Sequence, residues 1–285
     1  MMKKWSKKQW LCIIVICLVV ISGWIVQDNT KIELAEYNVI SSKVPEPFVC
    51  FEIAQVSDLH NAEFGEGNSD LLALLSEVEP HVIVLTGDLI DSRQTDIEIV
   101  LDFAGKATQI APVYYVAGNH EARVPVYEEL KMGLKDAGVT VLENQKVQIT
   151  RDGESITLMG IQDPSFRTNY LSGDAESVSR QALSELQNES DGFTVLLSHR
   201  PELFGVYVDT GIDLVFSGHA HGGQFRLPFI GGLVAPNQGL FPKYDAGRFD
   251  EDNTTMIVSR GVGNSIIPLR INNPPEIVVV ELRKQ

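Results

Sequence analysis

The spacing of hydrophobic and polar positions changes repeatedly along this chain, and each change marks an element. Trp10 to Val26 is an uncharged, almost wholly apolar run of 17 residues. At about 1.5 Å per residue that is close to the lower limit for a membrane-spanning helix. Residues 27–47 are more polar and end at Pro45-Glu46-Pro47, which reads as a stalk or a lead-in strand. Residues 48–56 alternate and are rich in β-formers, which predicts a strand. Leu71, Leu72, Leu74, Leu75 and Val78 fall on one face of a helix that Asn68 or Ser69 can cap and Pro80 stops. Residues 81–86 are apolar after the first position, as expected of a strand covered on both faces. A helix over 95–110, a strand over 113–117 and a helix over 124–137 follow. Beyond 137 the pattern turns β-rich, with strands expected at 139–142, 147–150 and 155–161. A helix over 177–188 precedes apolar strands at 193–197 and 212–216, and the tail holds strands at 254–259 and 277–282. No internal repeat or second-domain linker is visible.

The chain has 285 residues and is 44% hydrophobic, enough for one large domain with a substantial core. The net charge is −15, and the lysines at 3, 4, 7 and 8 are the only charges before Asp28. Beyond that segment stand 19 basic and 38 acidic residues. Such a body should not seek nucleic-acid backbone, although bound cations can reverse the field locally. Cys12 and Cys17 lie in the apolar run, so Cys50 is the one cysteine of the body. An intradomain disulfide and a cysteine-rich zinc site are thereby excluded from the body, and Cys50 is expected to be a small buried residue in a strand.

Lysines before an apolar run place the N-terminus in the cytoplasm and send the rest outward. Trp10 and Trp24 stand near the two ends of the run, where interfacial aromatics belong. The organisation expected is a basic tail at 1–9, an uncleaved single-pass anchor at 10–26, a stalk or lead-in at 27–47, and one extracytoplasmic domain at 48–285. A cleaved signal peptide is the rival reading, but no Ala-x-Ala site follows the run.

Five of the six histidines sit inside five short motifs: Asp58-Leu59-His60, Gly87-Asp88, Gly118-Asn119-His120-Glu121, Ser198-His199-Arg200 and Gly218-His219-Ala220-His221. Each lies at the end of an expected strand, the edge at which open α/β sheets carry their ligands. Imidazole, carboxylate and amide oxygen form the ligand set of first-row divalent metals. Seven such groups are too many for one ion and suit two ions that share a carboxylate. Singly, Asp58 would be a cap, His60 a surface residue and Asp88 a turn residue; their coincidence carries the signal. His81 lies outside the motifs and is expected to be structural.

These five motifs in this order resemble the calcineurin-like metallophosphoesterase superfamily over about residues 50–265. Gly-His-Ala-His-Gly-Gly-Gln and Arg226-Leu227-Pro228 are similar to its membrane-associated bacterial phosphodiesterase branch, the YkuE/YaeI-like proteins. The resemblance implies a four-layer α-β-β-α sandwich of two mixed sheets. It implies that Asp58, His60 and His221 bind a first divalent metal ion, that Asn119, His199 and His219 bind a second, and that Asp88 bridges them. Manganese, iron and zinc all suit these donors. His120 would lie outside the ligand set and act on substrate phosphate or the leaving group. The implied activity is hydrolysis of phosphodiester or phosphomonoester bonds by a metal-bridged hydroxide. The substrate would be a phosphate ester, with a lipid headgroup favoured by the tether. A lipid-linked sugar nucleotide pyrophosphatase is the alternative in the same class, and a non-catalytic membrane-tethered scaffold the alternative outside it.

Three further features stay open at this level. Glu121 either hydrogen-bonds a ligand histidine or serves as a helix-start acid. Arg200, then Arg226 and Arg123, are candidate phosphate contacts. The apolar stretch 227–244 is expected to turn into the core, with an exposed lip beside the site as the other reading.

Overall fold

A computed structural model describes residues 5–167, 174–187, 192–264 and 267–285. The chain opens with helix α1 (Lys7–Thr30), started by a reciprocal pair in which Gln9 N donates to Ser6 Oγ and Ser6 N donates to Gln9 Oε1. It is long and apolar enough to cross a membrane.

Two six-stranded sheets follow. The first comprises β1 (Glu33–Ser41), β2 (Phe51–Val56), β3 (Val82–Thr86), β4 (Val113–Val116) and β5 (Thr140–Val141), with helices α2 (Ser69–Val78), α3 (Ile97–Ala107) and α4 (Tyr127–Asp136) between them. The second comprises β6 (Gln145–Arg151), β7 (Glu154–Gly160), β8 (Thr194–Leu197) and β9 (Leu214–Ser217), with α5 (Ala175–Gln187) and α6 (Phe204–Asp209). Four two-residue strands form two small hairpins: β10 (Arg226–Leu227) with β11 (Gly231–Gly232), and β12 (Val234–Ala235) with β13 (Gly239–Leu240). Strands β14 (Gly247–Glu251) and β15 (Thr254–Val258) complete the second sheet, and β16 (Glu276–Lys284) returns to the first.

The strand orders are β1-β16-β2-β3-β4-β5 and β14-β15-β9-β8-β7-β6. Strands β2 to β5 are mutually parallel, as are β7, β8, β9 and β15, while β16 runs antiparallel to β2 and β6 antiparallel to β7. The apolar run of β3 shows why the sheets stack. Val82 and Val84 face the second sheet, where they join Leu158, Val195 and Phe216. Ile83 and Leu85 face the other way, against Leu71 of α2 and Phe103 of α3. The outer face of the second sheet, with Leu196 and Val215, is covered by Leu183 of α5 and Phe204 of α6. The result is the four-layer α-β-β-α sandwich that the family resemblance implies.

The structure decides between two readings of one segment, revises two expectations and leaves part of one helix aside. Of the stalk and the lead-in strand offered for residues 27–47, it has the strand, because β1 pairs in parallel with β16 from Glu33↔Glu276 to Ser41↔Lys284. Its exposed positions outnumber its buried ones, so it lacks the apolar signature of its neighbours. Cys50 is exposed, at φ 62° in the turn before β2, rather than buried in a strand. The stretch 227–244 turns inward only in part: Ala235 is buried and Tyr244 packs against the same cluster, but Phe229 is fully exposed, and Ile230, Leu240 and Phe241 are 59–70% exposed. Asn188, the expected end of the helix over 177–188, lies outside the described residues.

Candidate metal centre

The carboxyl ends of both sheets meet at one edge. There the β2 loop carries Asp58 and His60, the β3 loop Asp88, the β4 loop Asn119 and His120, the β8 loop His199, and the β9 loop His219 and His221. Backbone bonds tie these loops together: Asp58 N donates to Gly87 O at 3.0 Å, His60 N to Asp88 O at 3.0 Å and Gly218 N to His199 O at 3.3 Å. The Gln55 amide crosses between the sheets, donating to Thr86 Oγ1 at 2.8 Å and Ser217 O at 2.9 Å. The glycines of the motifs follow from the crowding. A Cβ on Gly118 would lie 2.3 Å from Asp88 Oδ1, and one on Gly218 would lie 2.4 Å from Asp58 Oδ2.

All seven candidate ligands are buried, and they gather into two groups. In one, Asp58, His60 and His221 converge: His60 Nε2 and His221 Nε2 face each other at 3.1 Å, and Asp58 Oδ1 lies 3.5 Å from His221 Nε2. In the other, His199 Nε2 lies 3.1 Å from His219 Nδ1 and 3.2 Å from Asp88 Oδ2. Asp88 Oδ2 is also 3.8 Å from His60 Nε2, so one carboxylate oxygen addresses both groups. Asn119 Oδ1 is buried and, among the described residues, has no hydrogen-bond partner. Five of the seven residues hold left-handed backbone: Asp58 (φ 54°), His60 (48°), Asp88 (52°), His219 (67°) and His221 (47°). Each such residue costs about 1–3 kcal/mol, and such conformations concentrate where a site must be held to one geometry.

The protonation pattern suits metal donors. Burial holds His60 down at about 3 and keeps His219 and His221 well below the usual imidazole range. These three rings are therefore neutral at pH 7, with lone pairs available. Burial pushes the Asp58 carboxyl up to about 6, assisted by Asp88 and opposed by His199. His199 is the exception: burial disfavours its charge, but the adjoining Asp88 outweighs burial and lifts it to about 10. The chemistry of the donor set, the opposed Nε2 pair and the unpartnered Asn119 oxygen all fit divalent ions.

His120 sits beside the groups. Its Nδ1 accepts from Ser92 N at 3.0 Å, which leaves the proton on Nε2, 4.0 Å from Asp88 Oδ2. Its backbone N–H donates to Asp88 Oδ1 at 2.8 Å. His60, Asp91 and His120 also approach one another, but Asp91 is held by Arg93 through Nε at 3.0 Å and Nη2 at 2.5 Å.

Glu121 stands at the start of a short 3-10 helix (Glu121–Arg123), as one of its two readings expects, but its side chain does more than that. Its fully buried carboxylate accepts from the backbone N–H groups of Gly118, Asp88, Leu89 and Ile90 at 2.7–3.2 Å, and so fixes the Asp88 loop against the Asn119 loop. Burial raises its pKa to about 7, with Asp88 adding to the rise. Arg200 is buried and engaged inward. Its Nη2 donates to Asp163 Oδ1 at 3.0 Å and its Nε to Asp163 Oδ2, while Nη1 lies 3.1 Å from His219 Nε2. Arg226 bonds Gly222 O at 2.9 Å and pairs with Asp245 at 3.0 Å. Arg123 is exposed, with its charge near enough to depress His120. His81 is structural, its Nδ1 accepting from Glu52 N at 3.0 Å.

The sequence patterns miss three participants. Asn237, in the β12–β13 hairpin, lies 3.0 Å from His219 Nε2 and accepts from Arg200 Nη1 at 2.9 Å. Asp163 anchors Arg200 from the turn after β7. Arg270 is fully buried behind the first group, bonding Asn264 Oδ1 at 3.1 Å and Gly263 O at 2.5 Å. Each lies outside a motif, and the buried acid–arginine contact across 37 positions leaves no local signature.

The chain that builds this edge is similar to known proteins. The calcineurin-like phosphoesterase profile matches residues 51–223. The chain belongs to the calcineurin-like phosphoesterase family. It is a metal-dependent phosphoester hydrolase. It is 30% identical over 260 residues to the metallophosphoesterase YkuE of Bacillus subtilis (strain 168), spanning 88% of this chain and 86% of that protein. It is 31% identical over 237 residues to the phosphodiesterase YaeI of Escherichia coli (strain K12), spanning 81% and 82%. In three dimensions it matches the protein TT1561 of Thermus thermophilus with a TM-score of 0.52 at 13% identity, over 75% of this chain and 90% of that one.

Proposed function

We propose that this protein is a membrane-anchored phosphodiesterase that works with two divalent ions. The observation that carries the reading is Asp88 Oδ2, set between the His60 and His199 nitrogens at 3.8 and 3.2 Å. Asp58, His60 and His221 would hold one ion and Asn119, His199 and His219 the other, with Asp88 shared. Bound there, such ions supply Lewis acidity, drawing charge from the phosphoryl oxygens and lowering the pKa of the attacking water. In the overall reaction the water oxygen bonds to phosphorus as the ester P–O bond breaks, giving an alcohol and a phosphate monoester.

The chain's own groups do the rest. His120 presents its Nε2–H toward the centre, where it can donate to a phosphate oxygen or to the departing alkoxide. Asn237 Oδ1 lies 3.0 Å from His219 Nε2 and accepts its proton, which leaves Nδ1 as that ring's lone-pair donor, and Arg200 holds Asn237 in place through Nη1. Glu121 pins the loops so that Asp88 cannot rotate away. The basic tail at 1–9 and the apolar run at 10–26 would set the domain outside the cytoplasmic membrane. Manganese, iron and zinc all fit the donors.

Purified full-length protein should hydrolyse bis(p-nitrophenyl) phosphate with added Mn²⁺, lose that activity on chelation, and regain it on readdition. Activity that survives exhaustive chelation rejects the reading, and a loaded protein that hydrolyses no ester makes it a scaffold.

Metal loading should also release protons. The metal-free His199 keeps its proton up to a pKa of about 10, and an imidazolium cannot ligate. Apparent affinity should therefore rise with pH from neutrality toward 10, by up to roughly tenfold per unit. Calorimetric titration in two buffers of different ionisation enthalpy counts the protons. Identical heats in both buffers contradict the assignment of His199.

A further inference from the structure

The exposed apolar stretch beside the site invites a partner, and its connection to α1 identifies which one. Phe229 and Ile230 form the tip of the β10–β11 hairpin; Leu240 and Phe241 close the β12–β13 hairpin next to it. Exposed apolar side chains on two successive hairpins mark an interaction surface rather than ordinary scatter. The second hairpin also carries Asn237, which reaches His219, so the surface and the metal centre share one loop.

The base of α1 is fastened to the first hairpin through residues 270–272. The Asn29 amide clasps Arg270 at two points, donating from Nδ2 to Arg270 O at 2.9 Å and accepting at Oδ1 from Arg270 N at 2.8 Å. Asn272 N donates to Asp28. On its other side this segment bridges the root of the first hairpin: Arg226 N donates to Ile271 O at 3.0 Å and Asn272 Nδ2 to Arg226 O at 3.3 Å. Asn273 continues inward, its Nδ2 donating to His221 O at 2.8 Å. A membrane-spanning α1 would put its polar end, Gln27 to Thr30, at headgroup depth. Leu227 and the Phe229 tip then start from that depth.

We propose that residues 227–241 dock in the interface of the bilayer that α1 crosses, and that the substrate is a phosphodiester of an amphiphile held in that bilayer. Aromatic and aliphatic side chains on a tethered rim suit shallow insertion. The substrate half of this inference rests on the phosphodiesterase reading above; the docking half does not.

The test uses the full-length chain in phosphatidylcholine–phosphatidylglycerol vesicles. An environment-sensitive fluorophore is attached through a non-natural side chain at position 229, or at position 250 on β14 as a control. Spin-labelled lipid should quench the probe at 229 at least about threefold more than the probe at 250. Separately, a variant carrying Phe229→Ser, Ile230→Ser and Phe241→Ser should hydrolyse soluble bis(p-nitrophenyl) phosphate within about twofold of the parent. It should lose about tenfold on a p-nitrophenyl phosphodiester of diacylglycerol embedded in the vesicles. Equal quenching at the two positions overturns the docking surface even if both esters are cleaved. A concentration-dependent dimer that shields position 229 from the quencher overturns it in favour of a second copy. Quenching at 229 with neither ester hydrolysed keeps the surface and rejects the substrate class.

Discussion

Asp88→Asn should abolish most of the activity while leaving the fold intact. Turnover of bis(p-nitrophenyl) phosphate should fall roughly a thousandfold, equivalent to about 4 kcal/mol of barrier. The reason is local. Oδ1 accepts the His120 N–H at 2.8 Å, and an asparagine can keep that bond through its own oxygen. The lost position is Oδ2, which addresses His199 at 3.2 Å and His60 at 3.8 Å. An amide nitrogen there offers a donor where two cations need a shared anion. Bound metal should drop from two ions per chain toward one, with melting of the metal-free protein nearly unchanged. A variant that keeps two ions and full turnover would remove Asp88 from the bridging position.

The largest effect on stability is expected at a residue outside the ligand set. Glu121→Ala strips the acceptor from four buried N–H groups at once. An unsatisfied buried donor costs about 1–3 kcal/mol, so a loss of about 4 kcal/mol or more is expected even after partial relaxation. For a domain of this size that lowers the melting temperature by roughly 10 °C. Glu121→Gln keeps one oxygen but turns an amide donor toward backbone donors, so it should recover only part of the loss. Thermal melts of the metal-free variants check this, because they separate the loop pinning from metal binding. An unchanged melting temperature for Glu121→Ala would mean that water replaces the carboxylate.

Much of this arrangement is legible in the sequence because the determinants are local. The β3 run is apolar from Val82 to Leu85 since both of its faces are covered, and Leu71 and Leu75 of α2 repeat at helical spacing. The ligand motifs stand out because histidine is scarce and each cluster follows a strand. What stays hidden has non-local causes. Strand β1 is an edge whose pairing with β16 spans the length of the chain, and its exposed face hides the strand period. The role of Glu121 depends on backbone groups more than 30 positions away, which residue type cannot announce. The stretch 227–244 has the composition of a core segment, and composition cannot distinguish a side chain turned inward from one held out.

The order of the first sheet governs when its edge can be finished. Strand β16 lies between β1 and β2, the first two strands of the chain. Until β16 has been made, β1 has no partner in the sheet, whereas β2 to β5 already pair with one another. Long-range pairing of this kind slows folding and prolongs exposure of unpaired strands. A nascent chain stalled before Glu276 should therefore remain protease-sensitive at β1.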